Sequence, residues 1–145
     1  MSDSGVEPAS AWTRPVPGPT ALTGFFWTSG RDGRLRIHRC GECQRFHHPP
    51  SPACPSCHSR QVAPEVVSGA GVVHAFSINR QDWTRGKEGP FVYAVIELAE
   101  QKGLRVVSNV VECPPEEVFV GMAVSVRFLA TEGVFLPLFA PERAS

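Results

Sequence analysis

Four cysteines in two closely spaced pairs are the residues of this chain best suited to chemistry. Each pair, Cys40 with Cys43 and Cys54 with Cys57, encloses two residues, and ten residues separate the pairs. A C-x2-C knuckle presents two sulfurs to one ion, so two knuckles predict a tetrahedral four-thiolate site. Catalytic zinc usually keeps one position open for water, whereas a complete thiolate shell is typical of structural zinc. We therefore predict one structural Zn²⁺.

Two other interpretations of the cysteines stay open at this point. Iron in a rubredoxin-like site uses the same sulfur ligands. Disulfides are less favoured, because they persist mainly in oxidising compartments and the N-terminus does not look like a secretory signal. The nearby His47, His48 and His58 could each replace a cysteine, but four sulfurs already complete the shell. We predict that these histidines lie at the surface or beside the ligands.

No sequence motif predicts a catalytic centre. The fifth cysteine, Cys113, precedes Pro114 and Pro115 and has no candidate base beside it, so we interpret it as a small buried hydrophobic residue. His74 lies in a predicted strand near Phe76 and is interpreted as a packed histidine. The chain has no recognisable triad, paired carboxylates or glycine-rich phosphate loop. Catalysis by this chain alone is therefore not expected.

Composition and charge restrict the class of protein. With 145 residues, 42% of them hydrophobic, the chain can form one compact domain plus a small module. Its 14 basic and 14 acidic side chains balance, which disfavours binding by neutralisation of phosphates. No apolar run approaches the roughly 20 residues that a membrane span needs. The cytoplasm is the predicted compartment.

The elements that must position the cysteines can be predicted in outline. The proline-rich composition of residues 1–19 predicts a flexible arm. Thr20 and Gly30 mark the two ends of a predicted short helix with an apolar face. A short strand is predicted to lead into the first knuckle. This is the layout of a zinc ribbon. The predicted segments are the arm 1–19, a helical segment 20–34, the ribbon 35–63, an OB-fold 64–140 and a tail 141–145.

Alternating runs after Cys57 predict a five-stranded barrel of the OB type, so the predicted fold class is mainly β. A helical turn is expected at Pro114 to Phe119, between the third and fourth strands, because proline suits a helix start and acidic residues suit its positive end. The predicted strands are Gly71 to Arg80, Phe91 to Leu98, Leu104 to Val111, Ala123 to Ala130 and Val134 to Phe139.

One face of this barrel is predicted to be apolar on the outside. If Val92 and Ile96 point inward, the period of two in a strand places Tyr93 and Val95 outward. A contiguous exposed apolar patch usually marks an interface. Cover by the N-terminal helix of the same chain is the alternative, and both interpretations stay open.

The loop between the first two barrel strands carries three cations and Trp83. Arg80, Arg85 and Lys87 could pair with the phosphates of a nucleotide-like ligand while the indole packs on a ring. A solvated loop whose tryptophan caps the barrel explains the same residues.

Several motifs together resemble a known family, the OB-fold proteins with a rubredoxin-like zinc ribbon that are called domain of unknown function 35 and often described as acyl-CoA-associated. The resemblance covers roughly Phe25 to Phe139. It rests on the aromatic residues before the ribbon, Leu35 to Cys43, Pro49-Pro50 before Cys54-Pro55-Ser56-Cys57, Val67 to Val73, Pro90-Phe91-Val92, Glu97-Leu98 and Gly121 to Val124.

The resemblance implies an accessory subunit rather than an enzyme. Members of the family it resembles bind a thiolase or a thiolase-like aldolase of the lipid-transfer-protein type. Their partners act in acyl-CoA metabolism, such as aromatic degradation and steroid side-chain cleavage. By this resemblance the chain works as a separate subunit of a hetero-oligomer, and it helps to form an acyl-CoA pocket or channel. Arg80 matches a position of the family pattern, whereas Arg85 and Lys87 are chemical inferences.

Two rival functions follow from the same residues. Zinc ribbons and OB-folds recur in nucleic-acid-binding proteins, and a fold alone does not determine function. The acidic character of the chain between Glu88 and Glu117 counts against that alternative. An independent enzyme that uses Cys113 would turn over substrate without a partner.

Overall fold

Two β-sheets make up most of the computed structural model, which describes residues 6–7, 16–80 and 90–142. The described elements are one short helix, α1, and nine strands, and two short 3₁₀ turns, Ser29–Asp32 and Pro115–Glu117, lie between them. Their bounds are β1 Val6–Glu7, α1 Gly24–Thr28, β2 Arg36–Cys40, β3 Phe46–His47, β4 Val62–Val66, β5 Ala70–Asn79, β6 Phe91–Leu98, β7 Arg105–Val110, β8 Ala123–Thr131 and β9 Val134–Pro141.

The smaller sheet carries the cysteine knuckles. Its strand order is β3-β2-β4, and both neighbours run antiparallel to β2. Cys40, the last residue of β2, pairs with Val62 of β4. The strand that sequence analysis places before the first knuckle is confirmed, whereas β3 and β4 were not predicted. Both knuckles are therefore attached to one three-stranded ribbon.

The larger sheet closes into the predicted five-stranded OB barrel. Strands β5, β6 and β7 form an antiparallel meander, β8 pairs with both β5 and β9, and β9 meets β7 in parallel at Val110 and Phe139. All five predicted barrel strands are present, with ends within two residues of those expected. Strand β1 adds a short parallel pairing to β8, which the sequence did not predict.

Close backbone approach explains the glycine at the start of the first barrel strand. Gly71 pairs with Leu98 on one side and Val124 on the other, where β5 bridges the two halves of the barrel. A Cβ atom at this position would collide with the carbonyl oxygen of Glu97. A residue without a side chain is therefore required here.

The helix is shorter than predicted. The expected segment Thr20 to Gly30 forms α1 only in its middle, and its end continues as the 3₁₀ turn. Thr20 does cap a turn, because its Oγ1 accepts from the backbone N–H of Thr23 at 3.1 Å while its own N–H donates to Thr23 Oγ1 at 3.0 Å. That turn lies before the helix instead of within it. The helical turn expected at Pro114 to Phe119 is present as the second 3₁₀ turn, Pro115–Glu117.

One hydrophobic core joins the helix, the ribbon and the barrel. Phe26 of α1, Leu35, Ile37 and Phe46 of the ribbon, and most inward residues of the barrel strands form one buried cluster. A smaller cluster is formed by Leu129, Val134 and Leu136 of β8 and β9. In β6 the predicted alternation is confirmed, since Val92, Ala94, Ile96 and Leu98 are buried. The ribbon is therefore packed onto the barrel. Among the described residues, no helix has the length and apolar character to cross a membrane.

Candidate functional site

The four predicted ligand sulfurs lie together at one end of the ribbon. All four Sγ atoms are within 4.8 Å of one another, and Cys40 to Cys57 and Cys43 to Cys54 are separated by 3.5 Å and 3.6 Å. None of the five cysteines forms a disulfide. Tetrahedral zinc with Zn–S bonds of about 2.3 Å requires sulfurs about 3.8 Å apart. The donor set and its spacing therefore fit the predicted metal.

Two turns of matching geometry present the sulfurs. In the first, the N–H of Gln44 donates to the carbonyl of Cys40 at 3.1 Å; in the second, that of His58 donates to the carbonyl of Cys54 at 2.9 Å. Gln44 and His58 both have positive φ, 68° and 66°. Each turn thus reverses the chain four residues after its first cysteine. The first cysteine of each pair is buried and the second is exposed.

Backbone N–H groups favour the thiolate form of the buried sulfurs. Glu42 and Cys43 donate to Cys40 Sγ at 3.3 Å and 3.4 Å, and Ser56 donates to Cys54 Sγ at 3.4 Å. The N–H of Cys43 is the largest influence on Cys40, whose pKa is lowered to about 6. The pKa of Cys54 is lowered in the same way, first by the N–H of Cys57.

The exposed Cys57 behaves differently. The Ser59 backbone favours its thiolate, but the Cys40, Cys43 and Cys54 sulfurs and burial together oppose it more strongly, and the pKa of Cys57 is raised to about 12. Several thiolates in so small a space repel one another. A cation among them would relieve this repulsion, as a metal site requires.

Histidines beside the knuckles form a buried aromatic cluster that the sequence did not predict. His38 stacks on Phe25 at 4.6 Å between ring centroids, His47 meets His38 edge-on at 5.3 Å, and His48 packs on Phe26 at 4.8 Å. Of the two positions expected for these histidines, at the surface or beside the ligands, the surface is wrong for His47, which is buried; His48 is half-buried. His58 is exposed, as expected.

Burial is the main influence on these imidazoles. It lowers the pKa of His38, His47 and His48, and that of His48 falls to about 4. The cluster is therefore neutral at neutral pH. Its role is to attach α1 to the ribbon through ring contacts.

Two family models match this chain over adjacent ranges. Residues 27–63 match the ChsH2 rubredoxin-like zinc ribbon domain, and residues 65–129 match the ChsH2 C-terminal OB-fold domain. In structure, the chain is similar to one from an Ltp2-ChsH2(DUF35) aldolase, with 31% identity and a TM-score of 0.77 over 87% of this chain and 98% of that one. A DUF35 domain-containing scaffold protein of Methanothermobacter thermautotrophicus is 32% identical over 62% of this chain and 68% of its own length.

The chain belongs to the DUF35 family. This DUF35 chain is also 33% identical, over 129 residues, to a probable enoyl-CoA hydratase alpha subunit of Thermomonospora curvata. That match covers 88% of this chain but 40% of the relative. The match to a rubredoxin-like zinc ribbon agrees with the sulfur geometry and supports a structural zinc.

Of the three predicted CoA contacts in this DUF35 chain, the structure describes one. Arg80, the residue after β5, pairs with Glu116 at 3.1 Å, and both side chains are well exposed, at 58% and 63%. The pKa of Glu116 is lowered first by a backbone hydrogen bond at its own residue and then by Arg80. Arg85, Lys87 and Trp83 lie outside the described residues. The geometry thus places Arg80 at the surface, in a pair that solvent can reach.

Cys113 and His74, which the sequence analysis interprets as packed residues, have different surroundings in the structure. Cys113 is half-buried against the core, and burial, followed by Glu117, raises the pKa of its thiol. This agrees with the packing role expected for it. The expectation that His74 is packed is wrong: its side chain is 45% exposed and its Nδ1 lies 4.0 Å from Glu97. His74 follows the buried Val73 and is exposed, and it lies at a local irregularity in the pairing of β5 with β6 between Val73 and Ala75.

The outer face of β6 and β7 carries solvent-exposed apolar side chains. Sequence analysis offered two interpretations of this face, an exposed interface or a surface covered by the N-terminal helix. Val107 is 73% exposed and Tyr93 is 48% exposed. Helix α1 packs mainly on β9 and β2 and leaves these side chains uncovered. The alternative that the helix covers this face is therefore wrong for this DUF35 protein.

Proposed function

We propose that this DUF35 chain is a non-catalytic accessory subunit that binds a thiolase or a thiolase-like aldolase of the lipid-transfer-protein type. The observation that carries the proposal is the match to a chain of the Ltp2-ChsH2(DUF35) aldolase, because it extends over 98% of that chain at 31% identity. Fold alone would be weak support, since one fold serves many functions. Likeness in sequence and in structure over nearly the whole relative is stronger support.

Several features favour a role without chemistry for the subunit. Within the described ranges, the only thiol outside the cysteine cluster is Cys113, and burial favours its unreactive protonated form. The exposed His74 lies 4.0 Å from Glu97, and that carboxylate is already paired with Arg105 at 3.1 Å. The name of the methanogen relative, a scaffold protein, agrees with this role. Bond making and breaking would then belong to the partner.

The four cysteines would serve the fold of the subunit. We propose that Cys40, Cys43, Cys54 and Cys57 together hold one structural Zn²⁺. Bound zinc would neutralise thiolate charge and fix the two knuckles on the ribbon sheet. The ribbon in turn supports α1 through the histidine cluster. The metal would thus maintain one side of the molecular surface.

The substrate class is the finer part of the proposal. By family resemblance, the subunit helps to form an acyl-CoA site or channel for carbon–carbon bond cleavage or formation, as in steroid side-chain or aromatic degradation. The hydratase relative, whose name specifies an enoyl-CoA, supports a CoA thioester. Arg80, with Arg85 and Lys87, would contact the CoA phosphates, and Arg80 would exchange Glu116 for phosphate.

A tagged pull-down from the native host tests the partner. Bound proteins are identified by mass spectrometry, and the purified complex is assayed for acyl-CoA cleavage or condensation. Recovery of a thiolase-like protein in stoichiometric amount is the expected result. Recovery of nuclease-sensitive nucleic acid or ribonucleoproteins, with no thiolase-like protein, would replace the proposal by the nucleic-acid alternative.

A further inference from the structure

The open apolar surface lies on the strands that OB-folds use for binding. Strands β5 to β9 are the five barrel strands in chain order, so β6 and β7 are strands 2 and 3 of the OB-fold. The face of strands 2 and 3 is where OB-folds bind oligonucleotides and oligosaccharides. What this surface can bind therefore depends on its side chains.

Strand register places apolar side chains side by side on this surface. Val95 of β6 pairs with Ala75 of β5 on one side and Val107 of β7 on the other, which gives an apolar row across three strands. Tyr93 lies two residues along on the same face of β6, and Phe91 meets it edge-on at 5.2 Å. We call these five residues, Ala75, Phe91, Tyr93, Val95 and Val107, the β6–β7 face.

Two grooves extend the β6–β7 face toward the helix. One, of about 400 Å³, lies between Val107 and the Pro49-Pro50 loop; the other, of about 380 Å³, runs from Val107 to Leu136 and Leu138 of β9. Trp27 of α1 lines both grooves. A partner that covered Val107 would therefore have apolar recesses beside it for its own side chains.

The charges beside the face do not suit a nucleic acid. Arg105, the cation at its edge, is paired with Glu97 at 3.1 Å, and His74 approaches the same carboxylate at 4.0 Å. Binding of single strands needs aromatic platforms set in a positively charged groove. The arginine at the edge of this face is thus already paired with a carboxylate, and Arg80, which follows the Asn79 partner of Phe91, is paired with Glu116 at 3.1 Å. An apolar centre with a paired polar edge is instead the composition of a protein interface.

We infer that the β6–β7 face is the surface that docks the thiolase-like subunit. This inference rests on the proposed function and adds the location of the contact. The relative from the aldolase is matched over 98% of its chain, so the surface by which that chain contacts a partner lies almost entirely within the fold shared with this one. On the described part of this chain, Val107 is the most exposed of the large apolar side chains. Its burial by a partner would remove apolar surface from water.

Two matched substitutions test the location. Val107→Glu places a charge on the most exposed side chain of the face, whereas Val120→Glu makes the same change at a side chain of similar exposure, 65%, on the turn before β8. Both variants are checked for unchanged thermal unfolding, and each is used as tagged full-length chain to recover the thiolase-like subunit that the wild-type chain recovers. We expect at least a tenfold loss of recovery with Val107→Glu and wild-type recovery with Val120→Glu.

The outcomes separate the two proposals. If the wild-type chain recovers no thiolase-like subunit, the proposed function fails before the variants are compared. If Val107→Glu recovers as much partner as wild type, or both variants lose it equally, the inferred location is wrong and the proposed function stands. An isolated wild-type chain that sediments as a dimer, and as a monomer with Val107→Glu, would assign the face to a second copy and also overturn the inference.

Hydrogen exchange on the wild-type complex gives an independent measurement that does not depend on a variant. Amides of β6 and β7 are expected to exchange more slowly in the complex than in the isolated chain, while those of β4 exchange at the same rate. Slower exchange confined to the ribbon would contradict the inference.

Discussion

At the scale of single residues, two cysteines have different surroundings, one suited to metal binding and the other to packing. Cys40 receives two N–H donors and lies 3.5 Å from a second sulfur, whereas Cys113 packs against the core. We expect the wild-type chain and Cys113→Ser to hold about one zinc per chain, and Cys40→Ser to hold much less because three sulfurs leave the shell incomplete. Elemental analysis by mass spectrometry after desalting measures this. Full zinc content in Cys40→Ser would contradict the assignment of the ligand.

His48 gives the fold a pH dependence with a defined sign. Its pKa is about 4 in the folded chain, below the usual 6.5, so the unfolded chain binds the proton first as pH falls. Stability is therefore complete above about pH 6.5 and is lost progressively toward pH 4. From this group alone the free energy of unfolding should fall by about 1 kcal/mol between pH 7.5 and pH 5.5. Burial of His38 and His47 acts in the same direction.

Urea unfolding of the zinc-loaded chain at several pH values measures this effect. His48→Leu should flatten part of the pH dependence, while the exposed control His58→Asn should keep all of it, and asparagine tolerates the positive φ at that position. A wild-type chain that is equally stable at pH 7.5 and pH 5.5 would refute the prediction.

Residue spacing was sufficient to predict the cysteine cluster, but not the burial of the histidines. The ligand sulfurs come from two local turns, so their sequence separation reports their geometry directly. His38 and His48, in contrast, are covered by Phe25 and Phe26, which come from a different element. The residues next to a histidine in the sequence do not indicate whether a phenylalanine from another element will bury its ring. The contact exists only after the helix has packed on the ribbon.

At the scale of elements, one glutamine fastens the ribbon to the barrel. Gln101, in the turn between β6 and β7, donates through Nε2 to the carbonyl of Phe46 at 3.0 Å and accepts at Oε1 from the N–H of Phe46 at 2.9 Å. Its side chain thus pairs with β3 as a neighbouring strand would. Gln101→Ala would leave both backbone groups of a buried residue unpaired, at a cost of about 1–2 kcal/mol.

Hydrogen exchange and urea unfolding test this contact. The Phe46 amide should exchange faster in Gln101→Ala, and the free energy of unfolding should fall, while the adjacent exposed control Lys102→Ala should match wild type in both. Unchanged exchange at Phe46 in Gln101→Ala would show that the contact does not hold the ribbon.

Strand prediction succeeded where one face of a strand is buried and the other is open. Strand β6 has the predicted bounds because Val92, Ala94, Ile96 and Leu98 alternate with outward residues. Strand β4 was not predicted, since Pro64 lies at its centre and four of its five residues are exposed. It forms because it pairs with β2 along its whole length. That pairing is tertiary information that a local pattern does not carry.

At the scale of the whole molecule, the ribbon, helix and barrel act as one unit. Their shared core and the Gln101 contact fix the β6–β7 face relative to the metal end of the molecule. The resemblance predicted this architecture and the family, and both are confirmed. The segment boundaries and the contacts of Arg80, Arg85 and Lys87 with CoA stay predictions. Their test needs a ligand and a partner.

The most direct test of the accessory-subunit account is the rate of acyl-CoA cleavage or condensation, measured for this chain alone, for the thiolase-like subunit alone and for the two together. We predict no turnover by this chain alone and a faster rate for the pair than for the thiolase-like subunit alone. Turnover by the isolated chain that Cys113→Ala abolishes, or a partner whose rate this chain leaves unchanged, would contradict the account.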